Sequence, residues 1–370
     1  MTVTFLHVNL VIETPTIIVK ESIKNWYTVY TDYIPARTFY GAIITYLAKK
    51  GIDPLKIKYA MNVSDLYPAT YGYSLPAIPF VLTCKDKDHI KRDLLRELID
   101  KLHYEEVKPN TSDLEKLYRY LIEKIKTCKI NGYSISSDYL IRSIAGKPIY
   151  CTGGEQDTCR IHKSIRTIVL ESVGVSPVTR GSYAGLVYTY EALSPGSNVH
   201  GLIACSEEVA EILKNELNNA LIYMGRGISR GYGRVRITSI SNRFAGKYDI
   251  RNLVEESFRK IFSEYSRDNQ VLVSLSPLVI KGYEDLFPAK SLEDFIKTIS
   301  LTTELYIGWS KLYGILKPIY NMLGHGSIIY MALKKDYRET INRYEEILLS
   351  NPGINLLMPL DVYGKLLLGG

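Results

Sequence analysis

The stretch from Ser206 to Ile240 constrains this chain more than any other. Ser206 is a helix cap, and Glu207 and Glu208 fall in the first turn, where the helix dipole favours negative charge. Val209, Ile212, Leu213, Glu216, Leu217, Ala220 and Leu221 recur at helical spacing, with Glu216 the only charged member. Met224–Arg234 then packs four Gly, three Arg, one Ser and one Tyr into eleven residues. Arg234–Ile240 alternates, Val235 and Ile237 inward and Arg234, Arg236 and Thr238 outward, as a half-buried strand does. The predicted order is helix, loop, strand. A nucleotide P-loop and a dinucleotide fingerprint both place the loop before the helix, and the P-loop also needs a Gly-Lys-Ser/Thr that is absent here. Glycine lets backbone N–H groups approach a phosphate, and the arginine fork matches phosphate geometry. The motif therefore predicts a cradle for a phosphodiester backbone built from Gly225, Arg226, Gly227, Ser229, Arg230, Gly231, Gly233 and Arg234, with Tyr232 able to stack on a base.

Composition agrees without demanding this. The net charge of +7 permits a polyanionic partner. A chain of 370 residues that is 46% hydrophobic and 23% charged is globular, not disordered or fibrous, and its length suggests two or three domains. No apolar run reaches the roughly 18 residues of a membrane span. Met1–Leu10 lacks the pattern of a signal peptide. Five Cys, an odd and sparse set, point to a reducing compartment, so a cytoplasmic location is expected. The 30 Tyr against 8 Phe offer stacking surfaces, although most are expected to serve strands and core.

Further along the chain, Thr2–Ile12 reads as a strand with Leu6, Val8, Leu10 and Ile12 on one face. Pro35 starts a helix that runs to about Lys50, with Gly51 as its stop. Helical stretches are expected near Ile90–Leu102 and Asp113–Cys128, the latter with a Ser112/Glu115 capping box. Ser164–Gly174 is a strand candidate. Leu186–Leu193 and Val199–Cys205 are expected to pair through Ser194-Pro195-Gly196. In the C-terminal part, Gln270–Ile280, Thr302–Trp309 and Ser327–Leu333 read as strands; Ser291 caps a short helix, and Asp336–Leu349 is a helix. From Gly196-Ser197 to Tyr232-Gly233-Arg234 the spacing is 36 residues, and from Gly326-Ser327 to Tyr363-Gly364-Lys365 it is 37. This echo suggests an internal duplication. Each half can then be written β-α-β-β-α-β, an α+β, ferredoxin-like (RRM-like) arrangement. The expected first domain is 1–243, with a large, partly helical insertion at about 51–160; the second is 244–370.

The Gly/Arg loop, set after a helix and before the last strand of such a unit, resembles the Gly-rich signature of the RAMP superfamily of CRISPR proteins. Ile34-Pro35-Ala36-Arg37-Thr38-Phe39-Tyr40-Gly41-Ala42 is similar to that family's Ile-Pro-Gly-Ser-x-x-x-Gly start of the first helix, with Ala36 and Arg37 where Gly and Ser are usual. Arg160-Ile161-His162-Lys163 to Arg166, Arg180-Gly181 through Leu186, Tyr190–Leu193 and Gly196–Ile203 resemble the double-RAMP, Cas-five-like subunits of type III-D effector complexes. The resemblance implies a non-catalytic subunit in antiviral defence that needs no cofactor. It would bind guide RNA, at its repeat-derived 5′ handle, and contact a large polymerase-like subunit and backbone RAMP subunits. It also implies RNA contacts for Arg37, Tyr40, Lys163, Arg166, Arg180 and Tyr183 beside the loop.

Rival chemistries leave weaker traces. A metal-independent endoribonuclease that processes repeat RNA needs a proton-transferring His. His7 and His200, on predicted strands, are the candidates, and His162 and His325 lie near basic or Gly-rich loops. Asp32, just before Ile34-Pro35, is the candidate for loop-Asp cleavage. Cys151, Cys159 and His162 supply three zinc-type ligands at a non-standard spacing; a local disulfide or plain packing are the alternatives. A protein-only adaptor is the remaining class.

Overall fold

The computed structural model describes residues 3–23, 26–84, 89–104, 107, 111–125, 128–130, 133–135, 141–152, 158–175, 178, 180–265, 269–279, 303–306, 309–310, 315–316, 320–334, 336–350 and 356–369. The chain is a mixed α+β protein with several separate sheets. Strand Val3–Ile12 is central. It pairs antiparallel with Asn198–Ser206 on one side and Arg234–Ser241 on the other. Met61–Val63 extends the sheet beyond Asn198–Ser206, and Leu221–Tyr223 closes the opposite edge.

Both faces of this sheet are covered. Leu6, Val8, Leu10 and Ile12 pack with Val199, Ile203 and Cys205 against two helices, Ala36–Lys49 and Glu207–Leu217. These helices turn Phe39, Ala42, Ile43 and Leu47, and Val209, Ala210, Leu213 and Leu217, toward the sheet at three- and four-residue spacing. On the other face Val3, Phe5, Leu202 and Ala204 join one apolar cluster with helices Arg92–Tyr104 and Thr111–Ile125 and with the C-terminal half of the chain. The helical insertion and the C-terminal half thus share a core. Among the described residues no helix is long and apolar enough to cross a membrane.

A second, smaller sheet repeats the local geometry of the first. Asn269–Ser274 lies between Ile328–Ala332 and Leu357–Pro359, antiparallel to both. Helix Tyr337–Ser350 joins the outer two. Gly196 and Gly326 both sit at positive φ, 79° and 81°. The Gly196 amide donates to Ile12 O, and the Ile12 amide to Ser197 O. The Gly326 amide donates to Ser274 O, and the Ser274 amide to Ser327 O. Glu13 N donates to Arg234 O as Leu275 N donates to Leu356 O. These bonds equate Leu356, not Lys365, with Arg234.

Three expectations are thereby corrected. Tyr363-Gly364-Lys365 does not open a strand; it lies within the buried helix Leu360–Leu368. Gly364 is there because a Cβ would stand 3.2 Å from Ile99, so glycine lets the two helices approach. Strands Ser182–Leu193 and Asn198–Ser206 do not pair with each other. The first joins Thr167–Val175 in a separate sheet with Trp26–Val29 and Val19–Ile23, and the turn at Gly196 hands the second to Val3–Ile12. The helix after Ser206 stops at Leu217, because Asn219 takes a left-handed φ of 59°, and Leu221–Tyr223 is a strand. The short helix expected at Ser291 lies outside the described residues.

One buried carboxylate ties the halves together. Helix Ala36–Lys49 begins after Pro35 with no cap of its own, and Asp65, fully buried, accepts from the Ala36 amide at 2.6 Å. The other Asp65 oxygen lies 3.1 Å from His325 Nδ1, while His325 Nε2 faces Gly146 O at 3.0 Å. Asp65→Ala should lower unfolding free energy in urea by about 3 kcal/mol, the usual cost of breaking a buried pair, and Asp65→Asn by less, since it keeps an oxygen for the helix. A loss below about 1 kcal/mol for the alanine variant would show that Asp65 does not hold the junction.

Candidate nucleic-acid interface

The Gly/Arg motif is the tip of a β-hairpin. Leu221–Tyr223 pairs with Arg234–Arg236, and Met224 N donates to Gly233 O at 2.8 Å. A 3-10 turn, Ile228–Arg230, forms the crest, with Gly227 and Gly231 at φ of 74° and 89°. Residues 13–17 run beneath it. Arg226 N donates to Ile17 O, Gly233 N to Pro15 O, and Arg234 N to the Thr14 hydroxyl, all at 2.9 Å.

This geometry assigns the glycines separately. A Cβ at Gly225 would lie 2.3 Å from Ile17 O, and one at Gly233 2.2 Å from Met224 O. Those two residues let the chain approach its own backbone, so their first duty is internal. Gly227 makes room for the Tyr232 ring, 2.6 Å from its ideal Cβ, and Tyr232 therefore leans on its own loop. Gly231 faces open space. Arg226, Ser229 and Arg230 are exposed. Arg234 is not free in the same way: Glu13 accepts from Arg234 at 3.1 Å and from Arg236 at 2.5 Å. A carboxylate held between two guanidiniums leaves that corner with one net positive charge.

The segment under the loop also reaches the other basic candidates. Thr16 exchanges backbone bonds with Leu193, and Ser194 N donates to Arg166 O. Lys163 and Arg166, both exposed, line a cleft of about 190 Å³ with Tyr71, His162, Ser164 and Asn198. Tyr30 N donates to Ile18 O, and Arg37 stands 3.5 Å from the Tyr30 hydroxyl. The loop, Arg37, Lys163 and Arg166 thus gather at one end of the central sheet. Tyr40 stands apart: its hydroxyl donates to Lys58 O at 2.8 Å, and burial, then Tyr59, pushes its pKa up. Arg180 sits exposed at φ 54°, between strands Thr167–Val175 and Ser182–Leu193. The Tyr183 side chain lies outside the described residues.

The rival candidates change meaning. His7 and His200 do not face a surface. They lie on the sheet face that the C-terminal half covers, 2% and 0% exposed, among Tyr73 and Phe244. His200 Nε2 is 2.7 Å from Ser74 O, so it carries the proton and leaves Nδ1 to accept from His7 Nε2 at 3.2 Å. Burial holds His200 down to about 4, against the help of the Ser74 carbonyl, and burial followed by the His200 charge holds His7 well below its usual value. Asp32 is a clamp, bonded by Lys147 at 2.5 Å and Ser164 at 2.8 Å. Burial opposes its ionisation, but those bonds and the Lys147 and Lys20 charges outweigh it, and its carboxyl titrates below the usual range.

The suggested metal ligands are otherwise engaged. Cys151 and Cys159 stand directly opposite on antiparallel strands and form a disulfide, so neither offers a thiolate. His162 donates from Nδ1 to Lys163 O at 2.7 Å and accepts from Tyr71 N at 3.4 Å. No group of three or more metal-binding side chains gathers among the described residues. Cys84 is also disulfide-bonded, and Cys205 is a buried free thiol pushed up to about 12 by burial.

Sequence reading missed Tyr27, Tyr30, Tyr71, Tyr188 and Tyr190, which border this end. Only their type was visible, since the contacts that place them are nonlocal, as where Tyr27 meets Tyr190 more than 150 positions away.

Two expectations follow for stability. Gly231→Ala should cost about 1 kcal/mol, the price of a left-handed φ alone. Gly225→Ala and Gly233→Ala should cost roughly twice that or more, since each adds a clash with backbone; equal losses in all three would refute the close-approach assignment. In the unfolded chain His7 and His200 regain ordinary pKa values near 6.5, so below that pH unfolding takes up protons. Unfolding free energy should fall as pH drops from about 6.5 toward 4, by up to about 1.4 kcal/mol per pH unit for each His, and less steeply in His7→Phe. A flat profile over that window would mean the pair is not buried neutral.

No protein-family model matches the sequence, and no curated protein matches it. Solved structures do resemble the fold. One is a chain of the type III-B Cmr-beta complex bound to cognate target RNA, at 13% identity and TM-score 0.45, over 96% of this chain and 97% of that one. The same complex with cognate target RNA and AMPPnP gives 13% identity and TM-score 0.46 over the same shares. A chain of the Csm3-Csm4 subcomplex of the type III-A CRISPR-Cas interference complex gives 15% identity and TM-score 0.37, over 95% and 99%. These three structures are chains of type III complexes.

Proposed function

We propose that this chain is a guide-RNA-binding subunit of a type III CRISPR ribonucleoprotein, made of two ferredoxin-like RAMP units, 1–243 and 244–370. The central sheet supports the first unit: its strand order, read as fourth, first, third, second, with helices after the first and third, is that of a β-α-β-β-α-β unit. The repeated bonds at Gly196 and Gly326 support the second.

The observation that carries the RNA reading is the hairpin tip braced on residues 13–17. It holds Arg226 and Arg230 exposed at the same end of the sheet as Arg37, Lys163 and Arg166. Exposed guanidiniums on a rigid crest suit phosphates, which fix register and orientation without reading sequence. The repeat-derived 5′ handle is the segment we assign to this end, with the large polymerase-like subunit and backbone RAMP subunits as neighbours. Gly225–Arg234, Arg37, Lys163 and Arg166 form the contact set, and Arg180 and Tyr183 extend it along the long hairpin. A repeat-processing endoribonuclease finds no support in His7 and His200, which are shut away from any RNA path.

A tagged chain purified from its host should bring down RNAs that share one repeat-derived 5′ end, together with other CRISPR subunits. RNA of random origin would sink the reading. For the loop itself, replacing Arg226 and Arg230 with Ala should weaken binding to single-stranded RNA and flatten the log–log salt slope by about 1.4. An unchanged slope would remove the crest from the interface.

A further inference from the structure

The sheet that flanks the Gly/Arg hairpin carries a row of aromatic rings that the phosphate-binding loop does not explain. Strand Trp26–Val29 runs parallel to Ser182–Leu193, with Tyr27 directly beside Tyr190. Their rings stack at 5.3 Å and 12°. Tyr188, two residues before Tyr190 and so on the same face of the sheet, continues the row at 6.5 Å and 29°. Arg226, from the crest of the hairpin, closes the near end with its guanidinium carbon 5.8 Å from the Tyr27 ring centre. All three tyrosines are half-buried.

We propose that Tyr27, Tyr190 and Tyr188 form a stacking platform for unpaired nucleobases of a single-stranded RNA whose backbone Arg226 holds. This rests on the RNA-binding reading above and deepens it. Every base has a π-face, so stacking on tyrosine is tolerant of sequence, and it works only where the strand is unpaired. Arg226 links the two functions. Its guanidinium is planar, packs over Tyr27, and keeps its donors for a phosphate. The row leads away from the crest along the sheet, so a strand whose phosphates sit at Arg226 and Arg230 can lay successive bases toward Tyr188. The two other surfaces at this end do less. The cleft at Lys163 and Arg166 is small and mixed in lining, and the opposite face of the long hairpin, with Val169, Val173 and Val187 exposed, has nothing beside it that names a partner.

Cross-strand packing alone would also align these rings, and the test separates the two roles. Fluorescence anisotropy would follow the full chain binding a labelled single-stranded RNA 12-mer, and the same RNA annealed to its complement, across a salt series. Tyr188→Ala and Tyr190→Ala should each weaken single-strand binding roughly tenfold at one salt concentration. The salt slope should stay that of the wild type, because no phosphate contact is lost. Tyr188→Phe and Tyr190→Phe keep the ring and should bind as the wild type does. Duplex binding should be the same in all four variants. Thermal melts of the same samples report folding. Alanine variants that stay folded and bind single strands at wild-type affinity overturn the platform and leave the RNA-binding reading standing. A wild-type chain that binds neither RNA overturns both. Should the alanine variants unfold, Tyr188→Leu, which keeps apolar bulk without a π-face, decides: wild-type affinity overturns the platform, and a tenfold loss supports it.

Discussion

The burial of strand Val3–Ile12 on both faces is the constraint on which the rest of the molecule depends. Its even-numbered side chains face two helices, and its odd-numbered ones face the insertion and the C-terminal half. Along most of its length, with only Asn9 and Val11 partly exposed, the strand has no solvent side, so each buried polar residue on it needs a partner inside the protein. His7 finds one in His200, and Asn9 finds one in Ser239. The same strand fixes where the interface lies. It ends at Ile12, and the chain that leaves it, residues 13–17, becomes the floor on which the Gly/Arg hairpin and the turn after Leu193 both rest. The rigidity of the core is thus passed to the basic end through a handful of backbone hydrogen bonds.

Charge at that end is shaped by subtraction as well as addition. Glu13 occupies two arginines at the foot of the hairpin, and Asp32 occupies Lys147 beside the cleft. What remains open is a narrower set, Arg226 and Arg230 at the crest and Lys163 and Arg166 across the floor. Pairing at the foot and exposure at the crest set a direction, so that a polyanion is drawn to the tip and not to the strands that carry it.

Much of this was legible in the sequence, for identifiable reasons. Ser206 with Glu207 and Glu208 marks a helix start because the cap and dipole act within one turn. Gly196 and Gly326 mark equivalent turns because both need a positive φ that a Gly-Ser pair signals directly. What failed was nonlocal. Tyr363-Gly364-Lys365 matched a motif by letters, but Gly364 answers to Ile99 on another helix. Leu221–Tyr223 continued a helical spacing, yet Asn219 broke it and a strand partner claimed it. At the interface, the arginines were visible by type and clustering. The division of labour among the glycines was not, because it depends on the approach of Ile17 and Met224 backbone. His7 and His200 were misplaced for the same reason: a strand residue has two sides, and alternation does not say that both are covered.

The central pairing also has a consequence for how the chain is born. Val3–Ile12 is synthesised well before the strands it pairs with, Asn198–Ser206 and Arg234–Ser241. At synthesis rates of about 5–20 residues per second, the strand waits roughly 10–40 seconds before its first neighbour emerges. During that interval a segment apolar on both sides has no edge covered. Such long-range pairing is slow to form and open to wrong contacts, so the nascent chain is a demanding client for the chaperones that shield unpaired strands.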